Sequence, residues 1–328
     1  MRCVRYPLRQ LFTLLSLVSG LVPVDGRSVE YPTRPVRIVV GGATGGGVDI
    51  SARILGNKLS EATKQQFVVE NRSGAGGNIA AELVARAPAD GYTVLMGTIA
   101  PLAINPSLYA KLPFDPVRDF APISRVADST NVLVVHPALP VRSVRQLVSL
   151  AKARPGQLLY GSAQTGSAGH LAGVLFGGMT GTKLVHIPYK GGAPAMIDLI
   201  AGQLQLIFAT AITAVPQVNA GKIRALAVTT AKRTALLPDM PTMDEAGLAG
   251  FEVNNWYGLV APARTPQEVV QQFNSEVVAL LKRGDVSDAM LKQGLDPAPS
   301  TSAEFGAYIK SEIEKWRKVV VASGAKAD

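Results

Sequence analysis

The stretch "VRIVVGGATGGGVDISARIL" starts as one kind of structure and ends as another. Residues 36–40 are apolar except for Arg37, a run of the length a buried strand needs. Five glycines follow within residues 41–47, and then Ile50, Ile54, Leu55 and Leu59 recur at helical spacing. A strand that passes through so bare a turn into a helix is the first half of a βαβ unit. Such a unit commits a sheet to parallel pairing with helices on its faces.

The alternation continues. Further strands are predicted at 67–70, 92–96, 131–136, 158–160, 184–187, 204–208 and 223–228, and helices at 78–87, 143–152, 170–179 and 193–201. The proline-rich run "APLAINPSLYAKLPFDPVRDFAPI" reads as a long connector, and "WYGLVAPARTP" as a returning strand with a turn. Capping boxes are predicted at Ser143 with Gln146, Thr265 with Glu268 and Thr301 with Glu304. Pro266 suits a first helical position, and Gly284 the stop of a helix reaching Lys282. The last helix turns Phe305, Tyr308, Ile309, Ile313, Trp316, Val319 and Val320 inward and shows no reactive group, so it reads as packing.

At 328 residues, 47% hydrophobic and 17% charged, the chain can bury about two domains. The expected division is a first α/β lobe of 27–130 with 233–328 and a second of 131–232. Two lobes joined by two crossings can hinge around a ligand.

The N-terminus stands apart. Arg2, Arg5 and Arg9 precede an apolar run at 11–22, and Val24-Asp25-Gly26 offers a cleavage site. Residues 1–26 are predicted to be a secretory signal peptide, too short to be a spanning helix, with a membrane anchor as the alternative. Cys3, the one cysteine, precedes the apolar run, whereas a lipidated cysteine would follow it. Cleavage leaves no cysteine, which excludes disulfides, thiol catalysis and cysteine-bound metal. Of the net charge of +9, Arg2, Arg5, Arg9 and Asp25 supply +2, leaving about +7 spread without a basic block; no nucleic-acid partner is expected. A mild positive field favours anionic small molecules.

The opening loop fails two familiar tests. A dinucleotide fingerprint needs glycines at i, i+2 and i+5; from Gly42 the second is Thr44, and from Gly45 the third is Ile50. A nucleoside-triphosphate loop fits the spacing of Gly41 and Gly46, but Gly47 stands where lysine is required. What remains is a loop with few Cβ atoms at a helix N-terminus, rich in free N–H groups and placed in the positive end of the helix dipole. Asp49 is placed to cap that helix. The arrangement suits one carboxylate.

The second lobe repeats the device in "YGSAQTGSAGHLAG", where Ser162, Gln164, Thr165 and Ser167 surround Gly161 and Gly166 before a helix. "PYKGGAPAM" is a third turn before a helix. Such loops lie at the C-terminal ends of strands, where open α/β sheets bind ligands. The candidate contacts are Gly42, Ala43, Thr44, Gly45, Gly46, Val48 and Asp49 in the first loop and Ser162, Ala163, Thr165, Gly166 and Ser167 in the second. Thr98 and Thr210 join them, each at or just beyond the end of a predicted strand.

Catalysis finds little support. His136, His170 and His186 form no metal-ligand spacing, no G-x-S-x-G surrounds a serine, and pairing Ser162 with His170 is a weak alternative. Asp115 with Asp119, and Asp244 with Glu245, read as solvated loop acids. No cofactor or metal is expected.

The segments "YPTRPVRIVV", "GGGVD", "VVENRSGAGGN", "DGYTVLMGT", "INPSLY", "LPFDPVRDFAPIS", "NVLVVHP", "HIPYKGGAPAM", "AGKIRALAVTTAKR" and "LPDMPTMDEAGL" together resemble the Bug family, the periplasmic receptors of tripartite tricarboxylate transporters. The resemblance spans essentially the whole mature chain. It implies a two-lobed, type II Venus-flytrap fold closing on a di- or tricarboxylate, with membrane permease subunits as partners, acting as a monomer and not as an enzyme. It further implies that 43–49 and 162–167 grip a ligand carboxylate through N–H groups, hydroxyls and waters. A sensing role on the same fold, or a secreted α/β enzyme, are the alternatives. The family's first loop commonly reads P-F-A-P-G-G-G-T-D. Here Gly41 and Gly42 replace Pro and Phe, Thr44 the second Pro, and Val48 the Thr. Loss of the aromatic at Gly42 implies a wider pocket for a longer or aromatic acid, and Val48 removes a hydroxyl.

Overall fold

The computed structural model describes residues 1–3, 31–234 and 236–327; the predicted signal peptide, beyond its first three residues, lies outside them. The body of the chain builds two sheets. It opens with β1 (Val36–Val40), α1 (Gly47–Thr63), β2 (Phe67–Asn71), α2 (Asn78–Ala85) and β3 (Thr93–Thr98). Val36, Ile38, Val39 and Val40 are fully buried, because the sheet is covered on both faces. β1 lies between β2 and β3 with parallel pairing, Val39 opposite both Glu70 and Leu95.

The predicted connector is more structured than its prolines suggest. A π-helical turn spans Ala100–Ile104, α3 spans Asn105–Leu108, and β4 covers Phe120–Ser129. Pro122, Arg125 and Asp128 interrupt the apolar pattern of β4. It is held by antiparallel pairing to β10 (Asn255–Pro262), with irregularities beside Gly258 and Leu259.

The second sheet comprises β5 (Asn131–Val135), β6 (Leu159–Ser162), β7 (Val185–Pro188), β8 (Leu206–Thr210) and β9 (Arg224–Val228), in the order β7-β6-β8-β5-β9. Its helices are α4 (Val144–Ala153), α5 (Ala168–Thr180), α6 (Gly192–Ile200) and α7 (Ala211–Asn219). The α7 segment escapes the sequence reading, since Pro216 inside it removes a helical N–H and argues against a helix.

The chain then returns to the first sheet through β10, α8 (Gln267–Leu281), α9 (Gly284–Leu291), β11 (Leu295–Pro297) and α10 (Ser302–Ser323), completing the order β11-β4-β10-β3-β1-β2. The chain passes between the sheets twice: at Thr130, between β4 and β5, and between β9 and β10. Thr229 ties the passages together, its hydroxyl donating to Val253 O at 2.8 Å and its N–H to Asn131 O at 2.9 Å.

Two of the three capping boxes differ from prediction. Thr301 and Glu304 form a complete reciprocal box. Ser143 caps α4, but Gln146 reaches back to Arg142 N rather than to Ser143 N. Thr265 caps nothing, and its buried hydroxyl has no partner among the described residues. Gly284 is no helix stop: α8 ends at Leu281, and Gly284 opens α9. The inner face of α10 also holds a buried carboxylate. Glu312 accepts from the indole N–H groups of Trp256 and Trp316, each at 3.1 Å, fastening α10 to β10.

Candidate functional site

Loops follow the C-terminal ends of β1, β6, β7 and β8, and each leads into a helix. In the first loop, Gly45 takes φ 79°, a left-handed conformation that glycine adopts freely. The chain then extends through Gly46 and enters α1 at Gly47. Gly47 is held to glycine by a close approach instead: a Cβ there would lie 2.5 Å from the Tyr257 hydroxyl on β10. Among the described residues, the N–H groups of Gly47, Val48 and Asp49 meet no protein acceptor. They are the free donors of a helix N-terminus.

Asp49 does not cap α1 as predicted, because it lies in the first turn, three residues beyond the N-cap Gly46, which has no side-chain cap. Its buried carboxylate accepts from Gly45 N–H at 2.9 Å, from the Arg53 side chain at 2.9 and 3.1 Å, and from Asn71 at 3.0 Å. Burial alone would raise its pKa. The bonds from Arg53, Gly45 and Asn71 outweigh that effect and hold the carboxyl below the usual range. Asp49 therefore braces the loop from behind.

The second loop has the same backbone plan. Gly166 takes φ 80°, Ser167 is extended and caps α5 through His170 N–H, and α5 begins at Ala168. Gly166 N–H donates to His170 Nδ1 at 3.1 Å, so both belong to the support of the loop. Ser162 is buried and does not pair with His170. Its hydroxyl lies 2.7 Å from His186 Nε2 and 2.9 Å from Gln164 O. The N–H groups of Ala163, Gln164 and Thr165 have no acceptor among the described residues. The third turn is tied to this loop, with Tyr189 N–H donating to Ser162 O and Gly191 N–H to Ala163 O.

The loops of the two sheets meet. A Cβ at Gly191 would lie 3.7 Å from the Ala43 side chain, and one at Gly76 would lie 3.3 Å from Thr165 O. Asn105, buried on α3, donates to Gly76 O and Asn78 Oδ1, and its Oδ1 faces Gly166. Thr98 ends β3 opposite Tyr257 and accepts from Ala100 N–H at 3.3 Å. Thr210 precedes α7, its hydroxyl 3.2 Å from that of Thr213, and Thr213 in turn neighbours Gly192 of α6. Gly76, in "VVENRSGAGGN", and Asn105, Tyr257 and Thr213 are not among the residues expected at the site from sequence. A glycine-rich loop was a signal for the first. The others are single residues brought in by the fold.

Gly42 and Val48 are coupled. A Cβ at Gly42 would come within 2.7 Å of Val48 Cγ1, so a side chain at 42 would start where Val48 now packs. Gly41 is closed off by backbone, with Gly77 Cα 2.9 Å from a built Cβ. Open surface grooves of about 390 and 750 Å3 lie elsewhere, along α10 and between α1 and α9.

The model of the tripartite tricarboxylate transporter family receptor matches residues 51–325. The chain belongs to this family. The match begins just after the first loop. BugT of Bordetella pertussis is 35% identical over 297 residues, 90% of this chain and 91% of that protein. Among solved structures, the Rhodopseudomonas palustris protein Rpa4515 with adipate shares 41% identity at a TM-score of 0.86, covering 90% of this chain and 99% of that one. MatC of the same organism, with bound malate, shares 30% identity at a TM-score of 0.82, covering 88% and 100%. The Bug-family receptor described here thus has the two-lobed α/β fold of the periplasmic solute-binding proteins, and it is a binding receptor rather than an enzyme.

Proposed function

We propose that this receptor works in the periplasm, captures a linear dicarboxylate between its lobes and delivers it to the permease subunits of a tripartite tricarboxylate transporter. The observation that carries the reading is the pair of facing loops, one per sheet, each with unpaired N–H groups and neither with a Lys or Arg side chain. Such neutral nests hold a carboxylate by hydrogen bonds and helix dipoles. The ligands of the two relatives, adipate and malate, support a dicarboxylate.

The proposed contacts are Gly42, Ala43, Thr44, Gly46, Val48 and the N–H groups of Gly47 and Asp49 from the first loop, Ala163, Gln164, Thr165 and Ser167 from the second, and Thr98 and Thr210 at strand ends. Gly45, Asp49, Ser162 and Gly166 hold the loops in shape. The lobes are taken as 27–130 with 233–328 and 131–232, closing as a monomer by a hinge at the two passages.

The bare Gly42 favours a longer acid. A thermal-shift panel on ligand-stripped protein tests this, since a ligand that binds only the native state raises its stability by mass action. Adipate is expected to shift the midpoint more than malate, and sugars and amines not at all. A response to sugars or amines with none to any carboxylate would overturn the reading. Restoring the family pattern with Gly42→Phe and Val48→Thr together is expected to move the preference toward malate. An unchanged preference removes the pocket-width argument.

A further inference from the structure

Behind the second loop lies a pair of histidines that capture of a carboxylate does not by itself require. The rings of His170, from α5, and His186, from β7, stack with centroids 4.0 Å apart. Tyr160 of β6 closes the stack, 4.9 Å from His186, and its hydroxyl donates to His170 O. Each histidine holds one end of the loop. His170 Nδ1 accepts Gly166 N–H, so this ring nitrogen carries no proton and the neutral ring is protonated at Nε2. His186 Nε2 meets the Ser162 hydroxyl. With the one serine proton directed to Gln164 O, that nitrogen is the donor.

The first loop supplies the comparison that gives this pair a meaning. Gly45 and Gly166 share a left-handed backbone, and each donates its N–H to the side chain four residues on, Asp49 in one case and His170 in the other. Both acceptors sit third in their helices. We propose that His170, backed by His186 through Ser162, is the positioning device of the second loop: the neutral counterpart of Asp49, setting the free N–H groups of Ala163, Gln164 and Thr165 without touching the ligand. A neutral brace leaves the dipole of α5 undiminished toward an anion, whereas the Asp49 charge is already countered by Arg53.

The groups facing the pair fit this role. Tyr160 from β6 and Ser162 at its end are neutral, and each ring faces the other. Burial pushes His170 down to about 4, and burial with the neighbouring His170 pushes His186 to about 3, with no acid contributing. Protonation of His170 would remove the acceptor and release Gly166.

The inference rests on the dicarboxylate reading for its affinity measurement and stands apart from it for its spectroscopic one. Adipate titration by calorimetry at pH 7.5 compares wild type with His170→Asn, whose Oδ1 can replace Nδ1 as acceptor, and with His170→Leu, which cannot accept. His186→Gln and His186→Leu form the parallel pair. The Leu variants are expected to bind adipate about tenfold more weakly, as fits a buried polar group left unpaired, the Gly166 N–H in one and the Ser162 hydroxyl oxygen in the other. The Asn and Gln variants are expected to stay within about threefold. In parallel, NMR of labelled imidazoles in wild type is expected to show His170 protonated at Nε2 alone. Exchange of the Gly166 amide is expected to be slow in wild type and His170→Asn, and fast in His170→Leu. A His170 proton on Nδ1, or a Gly166 amide equally protected in all three proteins, overturns the clamp whether or not adipate binds. Equal adipate affinity in wild type and both Leu variants also overturns it. Failure of adipate to bind wild type while the Gly166 pattern holds supports the clamp and removes only the choice of ligand.

Discussion

Gly45 hands its N–H to a carboxylate and Gly166 hands its N–H to an imidazole, at the same turn of the same strand–loop–helix unit. One backbone plan thus accepts two chemistries. In the first loop the acceptor is an anion on α1 tied to Arg53 of the same helix and to Asn71 of β2, locked by charge and a hydrogen bond. In the second it is an uncharged ring stacked on another, locked by packing and two hydrogen bonds. The lesson is that a nest for an anion needs its backbone fixed from behind, and the fixing group must not compete with the ligand. A countered charge and a neutral ring both meet that condition.

The comparison can be broken most severely at Asp49. Replacement by Ala leaves Gly45 N–H, Arg53 and Asn71 without their common acceptor, and a loss of about 2–3 kcal/mol is expected in urea unfolding. A loss below that of an ordinary surface substitution would show that the first loop holds itself. Next in size is His170→Asp, which puts the first loop's brace into the second without an arginine beside it. A buried, unpaired carboxylate there is expected to weaken adipate about tenfold beyond His170→Asn and to lower the midpoint of unfolding. Equal behaviour of the two variants would mean that charge behind the loop is not felt at the ligand.

The smallest effect comes from acid. Both histidines have folded values below the ordinary 6.5, so on acidification the unfolded chain takes up protons first. Their stability contribution is full above about pH 6.5 and is lost progressively toward about 4. Asp49, held low, loses its contribution only below the normal carboxylate range. Asp128 and Asp296, pushed up chiefly by burial, run the other way and gain as pH falls. The histidine part is therefore the difference between wild type and the His170→Asn, His186→Gln double variant. Between pH 7.5 and 5.5 the wild type is expected to lose several degrees more of melting temperature, and parallel curves would refute it.

Much of this was legible without coordinates. "VRIVV" before five glycines and "YGS" before "AQTGSAGH" announce strand, turn and helix through composition alone, because a turn of few Cβ atoms and a helical apolar period are local properties. β4 was hidden because Pro122, Arg125 and Asp128 break its apolar pattern, and what holds it extended is pairing to β10 along its length, joined by β11 only at 127–129. The Thr265 box was promised by spacing and not built, since the chain enters α8 through Pro266 without a side-chain cap. Ser162 illustrates the same limit: sequence proximity suggested His170, and the parallel register that sets Tyr160 opposite His186 delivered His186 instead.

The sequence by itself determined that two glycine-bearing loops without lysine or arginine would end strands in two α/β lobes, which excludes nucleotide phosphates and suits a carboxylate. Only the tertiary structure decided which N–H groups in those loops remain free. Backbone donors look identical along a chain, and a donor is free or taken according to side chains brought up from behind. For Gly45 and Gly166 those side chains lie four residues on, but their orientation depends on partners farther along the chain: Asn71, 22 residues from Asp49, and His186, whose ring stacks on His170.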